Sequence, residues 1–191
     1  MDADRERRMT PNPAKENQWR RVASLVGSLA FLLAAPGTVA GLAPWWIGSW
    51  RVHAGFPGFL LVQALGGLLM IVGLLFLLET FARFALEGLG TPAPLMPTRH
   101  LVVTGSYRFV RNPMYFAVLA LILGQALLFG DVRIGIYAFC VWVGFTEFVR
   151  LYEEQTLRRT FPGEYAEFCA HVPRWIPRLT PWDGRGGNSQ A

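Results

Sequence analysis

At 191 residues, with 52% hydrophobic side chains, 16% charged ones and a net charge of +5, the chain has room for one domain. It has too few charges for an ordinary soluble surface, since soluble domains carry about a quarter charged residues. The apolar residues gather in runs nearly free of charge, as a bilayer requires of a spanning helix, so the composition points to an all-α integral membrane protein. The basic residues flank those runs instead of lining one soluble face, and no nucleic-acid-binding module is recognisable, which argues against nucleic acid as a partner.

Residues 1–18 are charged, contain two prolines and read as a mobile arm. The apolar stretch behind them exceeds signal-peptide length and lacks a small-residue cleavage site, so it is expected to be retained as a first span, about Trp19 to Leu42. Pro36 and Gly37 are expected to kink that span or end its regular part. If the break were re-entrant, the chain would have five membrane segments instead of four. Pro44, Trp45, Trp46 and Trp50 follow, and tryptophan suits the water–lipid boundary.

A second span, about Phe59 to Phe81, is leucine-rich and contains Gly66, Gly67 and Gly73, small residues that allow close helix contact. Glu79, Arg83 and Glu87 then recur at i, i+4, the pattern of a helix leaving the bilayer. Residues 88–97, GLGTPAPLMP, read as a loop. Pro113 suits the first turn of a third span, about Met114 to Phe129. Gly130 to Arg133 make a tight connection, and a fourth span, about Ile134 to Tyr152, returns to the starting side. Residues 19–182 thus form a single transmembrane domain, followed by a glycine-rich polar tail, 183–191, expected to be disordered.

Basic residues crowd the N-terminal arm, the connection over 82–113 and the C-terminal region, whereas the opposite loops hold only Arg51 and Arg133. With four spans, both termini and the residues discussed next are expected on the cytoplasmic side. The small residues of the second span suit packing within one chain or between two, so the oligomeric state is open. Cys140 and Cys169 show neither metal-ligand spacing nor the context of a disulfide, so no metal is expected.

The stretch TGSYRFVRNPMY, Thr104 to Tyr115, puts Tyr107, Arg108, Arg111, Asn112 and Tyr115 at the entrance to the third span. Such residues also make a plain interfacial collar. At the far end of the hairpin, Glu147, Arg150 and Glu154 stand at i, i+3 and i+7, which predicts one shared helical face, with Glu153 three residues after Arg150. Glu147 falls within an apolar run, where an ionisable group is costly unless paired, and Arg150 is its natural partner.

Arg111 to Tyr115, RNPMY, resembles the Arg-His-Pro-any-Tyr signature of the isoprenylcysteine carboxyl methyltransferase family and its bacterial phospholipid-methyltransferase-like relatives. The Glu153–Glu154 pair, FPGEY at Phe161 to Tyr165 and VPRWIP at Val172 to Pro177 are similar to that family's C-terminal pattern, so the resemblance covers residues 90–177. It implies a membrane enzyme that holds S-adenosylmethionine in a cytoplasmic pocket formed by the C-terminal hairpin. It implies cofactor contacts at Arg99, His100, Leu101, Val102, Tyr107, Asn112, Pro113, Met114, Tyr115 and Glu153.

Two departures stand out. Asn112 replaces a histidine of the eukaryotic enzymes, keeping hydrogen-bonding capacity but supplying no cation or titrating base. The arginine that the family places one turn before its cofactor-binding glutamate would fall on Val149, with Arg150 one residue later, about 100° round a helix.

Arg150, with Glu154 and Glu147 as bases should the acceptor be an amine, are the candidate catalytic residues. The water-soluble cofactor and the lipid setting together imply a lipophilic acceptor entering from the bilayer: a prenylcysteine carboxylate, a phospholipid amine or a thiol. Two alternatives are an NADPH-dependent reductase, because sterol reductases share a related C-terminal hairpin, and a non-catalytic scaffold whose arginines bind membrane lipids.

Overall fold

The computed structural model describes residues 26, 27, 29–53, 58–86 and 101–184, and among them all regular structure is helical. Five helices set the architecture: α1 (Leu29–Gly48), α2 (Phe59–Leu86), α3 (Pro113–Phe129), α4 (Val132–Thr160) and α5 (Pro162–His171). Helix α1, residues Phe59–Arg83 of α2, and α4 are each long and apolar enough to cross a membrane, and α3 is a shorter apolar helix of 17 residues. Their outer surfaces carry exposed leucines, phenylalanines and tryptophans, as lipid-facing helices do.

Helix α1 departs from expectation. It runs through Pro36 and Gly37 without ending and continues to Gly48, which removes the re-entrant alternative and takes Pro44, Trp45 and Trp46 into the helix. The irregularity is a π turn over Thr38–Leu42, in which the Ala43 N–H donates to the Thr38 carbonyl. Pro44 is the physical reason, because it offers no N–H to the Ala40 carbonyl and its ring would strike that carbonyl in a regular helix. The freed carbonyls find partners on the hairpin: Gln125 Nε2 donates to Ala40 O at 2.6 Å and the Tyr137 hydroxyl to Val39 O at 3.0 Å. In a bilayer each of these groups would otherwise go unsatisfied.

Helix α2 lies along α3 at close range. A Cβ added to Gly66 would stand 2.6 Å from the Leu128 nitrogen, and one added to Gly124 would stand 2.8 Å from the Gly66 carbonyl. Gly66 and Gly73 therefore set the approach of the two helices, whereas nothing lies within 4 Å of a Cβ at Gly67. Leu77, Phe81, Ala117, Ile122, Ile134 and Ala138 fill the core between α2, α3 and α4.

The ends of the bundle differ in build. At one end, α1 stops at Ser49 and Trp50, both with positive φ, and Trp50 Nε1 donates to Gln125 Oε1 at 3.1 Å. There Asp131 caps α4 through the Arg133 N–H and takes the Arg133 guanidinium through both its oxygens, at 3.0 and 2.7 Å. At the other end a second, smaller core forms from Val102, Tyr107, Tyr165, Phe168 and Val172. The chain after α5 is bound back onto the residues before α3, with Arg111 N donating to Pro173 O, Arg178 N to Phe109 O and Trp182 N to Arg108 O. That end holds every sequence-predicted site residue that lies within the described regions.

Candidate active site

The entrance to α3 is built by one 3₁₀ turn, Gly105–Arg108, and by Pro113 in the first turn of the helix. Gly105 has φ +53, and a side chain there would run into Glu79 and Arg83 of α2. Only glycine fits a left-handed position pressed against another helix in this way. Glu79 pairs with Arg83 and accepts a hydrogen bond from Ser106 Oγ at 2.6 Å, which fastens the turn to α2 and delivers Tyr107 inward. Tyr107 is buried, and its phenol is held well above its ordinary pKa by that burial first and then by the charges of Glu153 and Glu79. It remains a protonated hydroxyl at physiological pH.

The far end of the hairpin is reshaped by a second π turn, Val149–Glu153, in which the Glu154 N–H donates to the Val149 carbonyl. In an unbroken α-helix, residues 150 and 154 would stack one turn apart and 149 would point about 140° away from 154. The wide turn instead closes over five residues and sets Glu154 beneath Val149, so that both are buried. The expected common face of Glu147, Arg150 and Glu154 is therefore not formed. Glu147 and Arg150 stay together on the outside, 3.9 Å apart with side chains 54% and 57% exposed.

Glu154 enters a clamp. Arg174 Nε and Nη2 reach its two oxygens at 2.7 and 2.9 Å, and Arg111 Nη1 reaches Oε1 at 3.3 Å. Arg111 also donates to Cys169 Sγ at 2.8 Å, and the Glu154 contact holds the Arg174 guanidinium above its usual pKa. Burial raises the Tyr165 phenol in the same cluster, with Cys169 and Glu154 adding to the shift. Asn112 joins the frame by donating from Nδ2 to the Arg174 carbonyl at 3.1 Å.

Glu153 is treated differently. It accepts a hydrogen bond from the Tyr115 hydroxyl at 2.7 Å and has no basic partner among the described residues. Tyr115 is steadied by Phe145, whose ring centroid lies 4.7 Å from its own. Tyr107, Tyr115 and Glu153 thus meet across the hairpin. Two neighbouring carboxylates have opposite surroundings, one neutralised by two guanidiniums and the other met by the Tyr115 hydroxyl.

A family model described as phospholipid methyltransferase matches residues 61–164, more than half of the chain. The chain belongs to the phospholipid methyltransferase family. No curated protein matches it at a significant level. The family match takes in α2, α3, α4 and the start of α5, so it reaches further toward the N-terminus than the resemblance read from RNPMY and stops before VPRWIP.

Other residues suggested by the resemblance fall in several settings. Arg99 and His100 lie outside the described residues, as does Glu87. Val102 is buried in the smaller core with Leu101 against it, and Met114 packs on the membrane core. Glu79 and Arg174 stand among the candidate site residues although sequence reasoning does not select them, and Arg111, which opens the RNPMY signature, is not among the cofactor contacts that the resemblance implies. Glu79 carried one usable signal, an acidic residue at the end of an apolar run. Arg174 carried none beyond its place in VPRWIP, because only the folded C-terminal segment brings it to Glu154.

Proposed function

We propose that the protein transfers a methyl group from S-adenosylmethionine to a lipophilic acceptor that enters from the bilayer, at a site on the cytoplasmic face of the membrane. The observation that carries this reading is Glu153: a carboxylate inside the protein, oriented by Tyr115, close to Tyr107 and without a basic partner among the described residues. A buried anion of that kind is costly unless a cation or hydrogen-bond donors meet it. The residues present fit a ligand bearing positive charge, an amino group and ribose hydroxyls, all of which a carboxylate and aromatic faces can receive.

The cofactor supplies a methyl group on a positively charged sulfur, ready for in-line displacement. The protein's own part is positioning and exclusion of water. Tyr115 fixes the Glu153 rotamer, and the Glu79–Ser106 contact fixes the turn that carries Tyr107. The Glu154 clamp holds the end of α4 against the start of α3, which sets the distance between the two halves of the pocket. Glu154 is thereby a positioning residue. The exposed Glu147–Arg150 pair is available to an acceptor arriving along α4. Cytoplasmic placement follows from the basic residues gathered at this end, against Arg51 and Arg133 at the other.

Calorimetric titration of the purified protein with S-adenosylmethionine and with NADPH tests the reading. Saturable binding of the first, lost in Glu153→Gln while the variant stays folded, is the expected result. Binding of NADPH alone would replace the proposal with a reductase. Transfer of a labelled methyl group into a total lipid extract then identifies the acceptor class.

A further inference from the structure

Beside the proposed cofactor site, on the other flank of the 3₁₀ turn, lies a groove of about 460 Å³ between α2, the start of α3 and the C-terminal segment. Its walls are apolar: Phe76 of α2 and Phe116 of α3 are half exposed on the outer surface, Phe109 is partly buried, and Pro177 and Pro181 of the C-terminal segment form an exposed rim. Among the described residues, one cation stands in its lining, Arg108. The other charged lining residue, Glu79, is engaged by Arg83 and Ser106.

Arg108 is already answered from within the chain. Its Nε donates to the Trp182 carbonyl at 2.7 Å, and its Nη2 meets the Asp183 carboxylate. Trp182 is held in place by stacking on His171, with ring centroids 5.4 Å apart, but the Asp183 side chain is 75% exposed and followed by Gly184. The carboxylate therefore sits on the exposed side of a well-packed tryptophan. An apolar trough whose walls include outward-facing phenylalanines of two apolar helices, with a guanidinium in its lining, has the form of an amphiphile with an anionic head.

We infer that this groove binds an anionic phospholipid of the bilayer, with an acyl chain along Phe76 and Phe116 and the phosphate at Arg108, and that Asp183 occupies the phosphate position when no lipid is bound. Charge complementarity selects the occupant. A guanidinium forks onto a phosphate, and a headgroup without a cation of its own leaves that phosphate fully available. Asp183 is then an intramolecular competitor that sets how much anionic lipid is needed to fill the groove. The inference stands apart from methyl transfer, because none of its contacts involves Glu153 or Tyr115.

The test uses the full chain in phosphatidylcholine nanodiscs without cofactor, titrated with phosphatidylglycerol spin-labelled on the acyl chain, and reads the immobilised fraction. Asp183→Asn is expected to raise the affinity about two- to fivefold, the worth of an exposed ion pair. Arg108→Gln is expected to lower it about tenfold, as loss of a charge-assisted hydrogen bond would. Spin-labelled phosphatidylcholine should respond to neither change, and glycerol phosphate, which lacks chains, should not displace the labelled lipid. Unchanged affinity in Asp183→Asn, an equal gain for phosphatidylcholine, or displacement by glycerol phosphate would overturn the inference. The gain expected of Asp183→Asn cannot arise from misfolding, so the result stands even if Arg108→Gln fails to fold.

Discussion

The two ends of the helical bundle use buried polar groups in opposite ways. At the Asp131 end every such group is matched inside the protein: Gln125 binds the Ala40 and Leu121 carbonyls and the Trp50 indole, while Asp131 takes Arg133 through both oxygens. At the Glu153 end, Glu154 is matched as fully, but among the described residues its neighbour Glu153 meets only a tyrosine hydroxyl. A buried charge with full internal partners belongs to the scaffold. A buried charge met by hydroxyls alone is where a ligand gains most by arriving.

That contrast can be broken by substitution, and the largest effect should come from the scaffold side of the proposed active site. Glu154→Ala leaves Arg111 and Arg174 without their shared anion. Breaking a buried pair costs about 3–5 kcal/mol, and the partial exposure of Arg174 lowers the expectation to about 2–3 kcal/mol. Thermal unfolding in detergent should show it as a clear drop in Tm, with Glu154→Gln intermediate. Next comes Gln125→Leu at the opposite end, expected to cost about 2 kcal/mol because it strands a carbonyl and an indole N–H in an apolar setting. A Tm equal to that of the unaltered chain would mean that the π turn of α1 does not depend on Gln125.

Glu153→Gln should do the reverse: unfolding free energy within about 1 kcal/mol of the unaltered chain, and S-adenosylmethionine affinity down by about tenfold or more. Equal affinity in calorimetry would remove Glu153 from the site. Tyr115→Phe keeps the ring packing on Phe145 and removes one hydrogen bond, so a few-fold loss of affinity is expected.

The smallest effect concerns pH. Arg133 holds the Asp131 carboxyl below its ordinary pKa, chiefly through its side-chain hydrogen bond. A carboxyl depressed in the folded state contributes stability above its unfolded pKa of about 3.9 and loses it as pH falls through the folded value. Acid unfolding should therefore steepen below about pH 4 in the unaltered chain and flatten in Asp131→Asn. The same pH dependence in both would place the acid-sensitive group elsewhere.

Much of this was legible in the chain itself. Apolar runs located the starts of α2, α3 and α4 to within about two residues, since exclusion of charge over a bilayer's thickness is a strong constraint, but α2 and α4 run on to Leu86 and Thr160, past the expected ends at Phe81 and Tyr152. Tyr107, Tyr115 and Glu153 were identified from short motifs, and the fold brings them together. What misled was the assumption of regular helices. Both π turns shift the side-chain register by a residue: in α1 this moved the break past Pro36, and in α4 it sent Arg150 outward and Glu154 inward.

By itself, then, the sequence determined that the protein is a helical membrane protein, which ends of its helices carry the candidate site residues, and which family it belongs to. The first two follow from composition, periodicity and short-range order along the chain, and the family from the resemblance of its short motifs and the family match. Tertiary structure alone decided that Glu154 is clamped by two arginines while Glu153 is met by Tyr115, that Glu79 and Arg174 stand among the candidate site residues, and that Asp183 pairs with Arg108 at a groove. Each of these depends on contacts between residues 20 or more positions apart, and on helical turns whose width is set by the neighbours that accept the freed carbonyls.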